Sequence, residues 1–146
     1  MMNLDIQLQE FKFRTAVNQR WSDMDEAGHV NNAVYLTYLE EVRVRYFHEA
    51  TEWNWQEDGI ILANVNMNYV RPLLYPETAF IYARVSKVGT KSFEMQYVIT
   101  VEKGDTKELV AHGSSVQVMF DYKKNSSTQV PEYVRTKLST FEQKSF

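Results

Sequence analysis

Residues 22–41, SDMDEAGHVNNAVYLTYLEE, set two aspartates and a glycine ahead of an asparagine pair and an aromatic-rich stretch. A carboxylate in such a place can hold a metal, cap a helix or take part in a reaction. In a calcium loop Asp23, Asp25 and Gly28 would take the first, third and sixth positions. The fifth and twelfth fall on Ala27 and Val34, so the bidentate acid is missing. Zinc would need His29 with His48 or His112, and no helical His-x-x-x-His pair occurs, so no metal site is expected. As a cap, an acid near a helix start contributes about 0.3–1 kcal/mol. That role explains neither Gly28, which lets backbone approach closely, nor the hydrophobicity of the stretch after the asparagines. A carboxylate, unpaired amides at a helix start and an apolar cavity together suit acyl transfer. The amides hold a carbonyl oxygen as it gains charge, and the carboxylate attacks or activates water.

The elements that must position these residues are legible from periodicity. Residues 11–21 alternate, with Phe11, Phe13, Val17 and Trp21 on one face, which predicts a strand with one wet face. Either Asn31 or Asn32 can cap the next element. From Ala33 to about Ala50, Tyr35, Leu39, Val42 and Tyr46 follow helical spacing, and Val34, Leu36, Tyr38 and Phe47 widen the stripe. This predicts a core helix buried over most of its surface. Four strand-like runs follow, at 61–70, 78–88, 93–101 and 107–121, the last with Val110, Val116, Val118 and Phe120 on one side. Short turns between them imply antiparallel hairpins. Pro131, then Val134, Leu138 and Phe141, predicts a short terminal helix over about 131–143. The fold class is α+β, a five-stranded antiparallel sheet wrapped around one long helix. One helix cannot cover both faces of such a sheet, so the outer face is polar or a second subunit helps, and an oligomer is expected.

The bulk numbers narrow the function. At 146 residues the chain reads as a single domain, 1–146, with its core at about 11–122. A net charge of -3 without a basic cluster argues against nucleic acid. With no cysteine, thiolate chemistry is absent. The amino terminus has neither a basic nor an apolar leader segment, and no stretch suits a membrane span, so the cytoplasm is the expected compartment.

Three segments, RWSDMDEAGHVNNAVYLTYLEEVRVRYF, NYVRPLLYPE and VGTKSFEMQY, resemble the hotdog-fold thioesterases of the 4-hydroxybenzoyl-CoA thioesterase class. The resemblance runs from about residue 11 to about residue 122. Its most specific part is Asp-x-Asp-x-x-Gly-x-Val followed by the long helix. It implies that Asp25 is the catalytic carboxylate, as general base or as nucleophile, and that the Asn32 backbone amide polarises the thioester carbonyl. It places Lys91 where the family contacts the phosphates of coenzyme A. Gly89 and Thr90 stand where more basic versions carry arginine, so either coenzyme A or an acyl carrier protein fits as the carrier. It also implies a homodimer or homotetramer with the substrate in a cleft between chains, and no cofactor.

Other residues have plainer alternatives. His29 contacts substrate or stacks on neighbouring aromatics, and Arg71 binds phosphate or closes a strand end. Glu40 and Glu41 pair with Arg43 or Arg45, and His112 packs in a strand or faces solvent. A non-catalytic acyl-thioester binding module is the rival reading. Asp25 argues against it, because pure binding has no use for a buried, unpaired carboxylate. A hydratase or dehydratase would need an Asp-and-His arrangement that His29 does not supply.

Overall fold

The computed structural model describes residues 4–146, the side chain of Ile6 excepted. The amino-terminal alternation yields a shorter strand than expected. After a short helix α1 (Leu4–Leu8), β1 spans Phe13–Val17, and Trp21–Asp23 form a turn of 3-10 helix. The strand stops because the Asp23 carboxylate captures the Arg20 N–H at 2.9 Å and turns the chain. Trp21 therefore leaves the inner face and is 78% exposed.

Helix α2 (Val34–Thr51) ends at Glu52, whose left-handed φ of 54° lets its N–H reach back to the last carbonyls. Its buried face carries Tyr35, Tyr38, Leu39, Val42, Tyr46, Phe47 and Ala50. They belong to one core with Ile81, Val85, Phe93, Met95, Tyr97 and Ile99 of the sheet. Each fully buried Leu, Val or Phe contributes about 1.5–3 kcal/mol, so this face anchors whatever precedes the helix. The burial covers only part of the helix. Leu36 and Val44 are 38% and 45% exposed, beside the exposed Ile61, Leu62 and Tyr69.

The remaining elements are β2 (Gly59–Tyr69), β3 (Ala79–Val88), β4 (Ser92–Lys103), β5 (Thr106–Asp121), β6 (Ser126–Ser127) and α3 (Glu132–Glu142). The sheet is antiparallel with order β1-β3-β4-β5-β2, and β6 adds to β5. The β3–β4 and β4–β5 hairpins are as expected, but β2 pairs with β5 at the edge, away from β3. The chain peels off the sheet where Val70 and Arg71 both donate to Val110 O and Pro72 has no N–H to continue the ladder.

The inner face of β5 also differs. Ser115, Gln117 and Met119 are buried, and Val116, Val118 and Phe120 are not. Opposite Ile99 and Thr100 the register skips Val110, a bulge that reverses the alternation beyond it. On the outer face, Leu8 of α1 packs with Tyr82 and Val98, so the chain covers part of that face itself. No described helix is long and apolar enough to cross a membrane.

Candidate active site

The loop between β1 and α2 is closed by bridges from Met24 to Val30 and from His29 to Leu74. Asp25 and His29 face each other across its tip. The Asp25 N–H donates to His29 O at 2.9 Å, and the Gly28 N–H donates to Asp25 O at 3.1 Å. Gly28 has a φ of +83°, and a Cβ there would meet nothing within 4 Å. The glycine thus supplies the left-handed turn; the close backbone approach expected of it does not occur. Val30 N–H donates to Leu73 O at 2.9 Å, which ties the loop to the segment entering β3.

The two acids have different surroundings. Asp23 is 1% exposed. Its carboxylate accepts from Tyr38 Oη at 2.7 Å, from Arg20 Nη2 at 2.9 Å and from the Arg20 N–H. Burial by itself would raise its pKa. The hydrogen bonds from Tyr38 and Arg20, with the guanidinium charge, outweigh burial and hold the carboxyl below its usual range. Asp23 is a charged, fully engaged strut between the loop and α2.

Asp25 is freer. Its side chain is 30% exposed, Oδ1 accepts from the Ala27 N–H at 2.9 Å, and Oδ2 lies 3.4 Å from His29 Nδ1. It is therefore neither buried nor unpaired, which removes the desolvation argument made from the sequence. One carboxylate edge is fixed by the turn and the other faces an imidazole and solvent.

Just before α2, Asn31 closes the turn into the helix. Its Oδ1 accepts from the Ala33 N–H at 2.9 Å, and its backbone oxygen accepts from the Val34 N–H at 3.0 Å. The Asn32 N–H has no acceptor among the described residues. The Asn32 carbonyl accepts from Tyr69 Oη at 3.0 Å, and the Tyr69 ring meets Tyr35 edge-on at 5.0 Å. Burial, helped by Tyr69, pushes the Tyr35 phenol up to about 12, and burial raises Tyr69 as well, so both stay neutral at pH 7. His29, Asn32, Tyr35, Tyr69, Val70 and Pro72 line a cavity of about 210 Å³ at the helix start. Sequence reasoning gives Tyr69 and Tyr35 no place in the site. The only available signal was their position among alternating or helical apolar residues, which looks the same for a core tyrosine.

Arg71 also borders this cavity. Its guanidinium donates to Glu77 at 2.9 and 3.2 Å, to Glu108 at 3.1 Å and to Pro72 O at 2.6 Å. This geometry matches the strand-closing reading. Lys91 is exposed in the β3–β4 turn. The Asp25 loop joins the segment before Ala79, and Lys91 follows Val88 at the opposite end of β3. The strand between spans roughly 30 Å at ~3.3 Å per residue. One chain therefore does not bring Lys91 to Asp25. His112 is exposed on the outer sheet face, and Glu41 pairs with Arg45, while Arg43 has no ion pair among the described residues. Among the described residues, no three His, Asp or Glu side chains gather as a metal-holding set.

Comparison with known proteins bears on the family and the fold. The family model described as the thioesterase-like superfamily matches residues 19–138. The long-chain acyl-CoA thioesterase FadM of Escherichia coli (strain K12) is 28% identical over 128 residues, covering 86% of this chain and 96% of that protein. The protein YsmA of Bacillus subtilis (strain 168) is 31% identical over 100 residues, 65% of this chain and 68% of its own length. Among solved structures, a thioesterase from Thermus thermophilus, complexed with coenzyme A and Zn, is 30% identical. It superimposes with a TM-score of 0.81 over 93% of this chain and 98% of its own.

Proposed function

We propose that this chain, which belongs to the thioesterase-like superfamily and has its hotdog fold, hydrolyses an acyl-CoA thioester to the free acid and coenzyme A. The observation that carries the reading is the pairing, on one loop, of a part-exposed carboxylate with an unengaged N–H. Asp25 and the Asn32 amide stand at the two ends of the turn that leads into α2. The substrate carbonyl oxygen accepts from the Asn32 N–H, and the positive end of α2 stabilises the charge that develops there. Asp25, open to solvent on one side, takes a proton from water as the hydroxyl attacks the carbonyl carbon. Collapse of the tetrahedral intermediate breaks the C–S bond. The thiolate is a good leaving group and needs no strong general acid, which suits a site with one free carboxylate. His29, 3.4 Å from Asp25 Oδ2, orients the carboxylate and contacts the substrate.

Binding of the coenzyme needs a second chain. Lys91 lies a strand's length from Asp25 in its own chain, so the phosphate contact proposed for it comes from Lys91 of a partner across a shared cleft. Arg71, its charge offset by Glu77 and Glu108, closes the strand end. The assembly is a homodimer or a pair of dimers, acting on coenzyme A thioesters in the cytoplasm. A purely binding role has less support, since it gives no use to the part-exposed Asp25 carboxylate. The direct test is release of free thiol from a panel of acyl-CoAs of graded length by the parent and by Asp25→Asn. No thiol release from any member would refute the reading.

A further inference from the structure

Six of the seven arginines lie within ion-pair distance of a carboxylate: Arg14, Arg20, Arg45, Arg71, Arg84 and Arg135. Arg43 is the exception among the described residues. It is half-buried on α2 and lines a cavity of about 290 Å³ between that helix and the edge strand β2. Glu40, one turn earlier, lines the same cavity, and it too has no ion pair among the described residues. The other walls are apolar, among them Val44, Phe47, Trp55 and Leu62. Behind Arg43 stands a buried polar cluster. Tyr97 Oη and Ser115 Oγ are 2.6 Å apart, Gln117 Nε2 donates to Ser115 Oγ, and Gln117 Oε1 is buried with no partner. The Arg43 charge lies near enough to Tyr97 to act on its phenol. A cation and an anion thus share an otherwise apolar groove without pairing, and the cation is backed by neutral groups that cannot offset its charge.

The groove lies further along α2 from Asn32. Glu40 and Arg43 follow Asn32 by 8 and 11 residues, which is about 12–16 Å along a helix axis. The exposed Leu36 lies between Asn32 and Glu40 along the helix. A chain whose carbonyl sits at the Asn32 N–H and which runs that distance along α2 ends between Glu40 and Arg43. A carboxylate end would meet Glu40, an ammonium end would meet Arg43, and a methyl end would desolvate both without a partner. A hydroxyl accepts from the guanidinium and donates to the carboxylate.

We propose that the α2–β2 groove holds the far end of an aliphatic acyl chain, and that Glu40 and Arg43 select chains carrying a hydroxyl there. This rests on the thioesterase reading for its catalytic consequence, but the binding preference can be measured without it.

The test compares matched pairs of the same chain length, plain and hydroxylated toward the end, as coenzyme A thioesters and as free acids. For the thioesters, kcat/KM should favour the hydroxylated member by roughly tenfold or more, and the free hydroxy acid should bind more tightly by calorimetry. Arg43→Met and Glu40→Gln should each bring both ratios toward unity, the loss falling on KM. Glu40 is exposed, so Glu40→Gln answers the question if Arg43→Met disturbs the core. Equal handling of the two members by the parent, or ratios unchanged in Glu40→Gln, would overturn the proposal. Tighter binding of the hydroxy acid by a parent that cleaves no thioester would refute the activity and leave the groove assignment standing.

Discussion

Asp25→Asn removes one proton acceptor and almost nothing else. The amide oxygen can still accept from the Ala27 N–H that Oδ1 holds at 2.9 Å, so the turn at Gly28 keeps its geometry. What is lost is the charge facing His29 at 3.4 Å on a side chain that is 30% exposed. Exposed pairs of this kind contribute at most about 1 kcal/mol, so Tm should move by no more than about 2–4 °C. Turnover should instead fall by roughly 10²-fold or more, about 3 kcal/mol of barrier, the usual loss for a general base. Asp23→Asn should show the reverse balance. That carboxylate is 1% exposed and bonded to Tyr38 and Arg20. Hydrogen bonds to a buried charge are worth about 1.5–3 kcal/mol, which lowers Tm by about 3–12 °C. The assay is single-turnover hydrolysis of one good acyl-CoA by both variants, with melting curves recorded beside it. Parental rates in Asp25→Asn, or a dead but fully stable Asp23→Asn, would refute the assignment.

Lys91→Ala should raise KM and leave kcat nearly unchanged, an effect that shrinks as salt rises; identical kinetics at low salt would return Lys91 to a solvated surface role. Burial raises the pKa of the Glu142 carboxyl, which accepts from the Val85 N–H at 3.1 Å and from Tyr46 Oη. The folded state therefore binds more protons than the unfolded one, and this group's contribution to stability falls as pH rises above about 4.5, its ordinary value. Glu142→Gln should flatten the dependence of Tm on pH above about 4.5, and the same slope in both proteins would contradict the assignment. In solution the mass by scattering should be at least twice that of one chain, since α2 and β2 leave Leu36, Val44, Leu62 and Tyr69 uncovered. An active protein with the mass of one chain at micromolar concentration would remove the shared-cleft model.

Much of the frame was legible in the chain because its signals are local. The helical spacing of Tyr35, Leu39, Val42 and Tyr46 marks α2 to within a residue at each end. Gly28 and the asparagine pair mark the turn before it, and alternation through Phe93, Met95, Tyr97, Ile99 and Val101 marks the inner face of β4. Asp25 stands out by its place relative to these elements, and the order of residues determines that place.

Contacts between distant segments were not legible. Asp23 and Asp25 are both acids two positions apart, and the bond from Tyr38 Oη at 2.7 Å, beside those from Arg20, makes one a buried strut. Arg71 meets Glu77 and Glu108, the latter 37 residues away, and no local signal in the sequence marks that pairing. The inner face of β5 inverted because the skipped residue at Val110 shifts a parity that alternation cannot count through. Arg43 would read as one more helix cation if Glu41 had not gone to Arg45 and the β5 bulge had not turned Ser115 and Gln117 inward behind it. Periodicity reports which side of an element is apolar. Which polar groups then meet, and which are left without a partner, is decided when register and packing bring remote segments together.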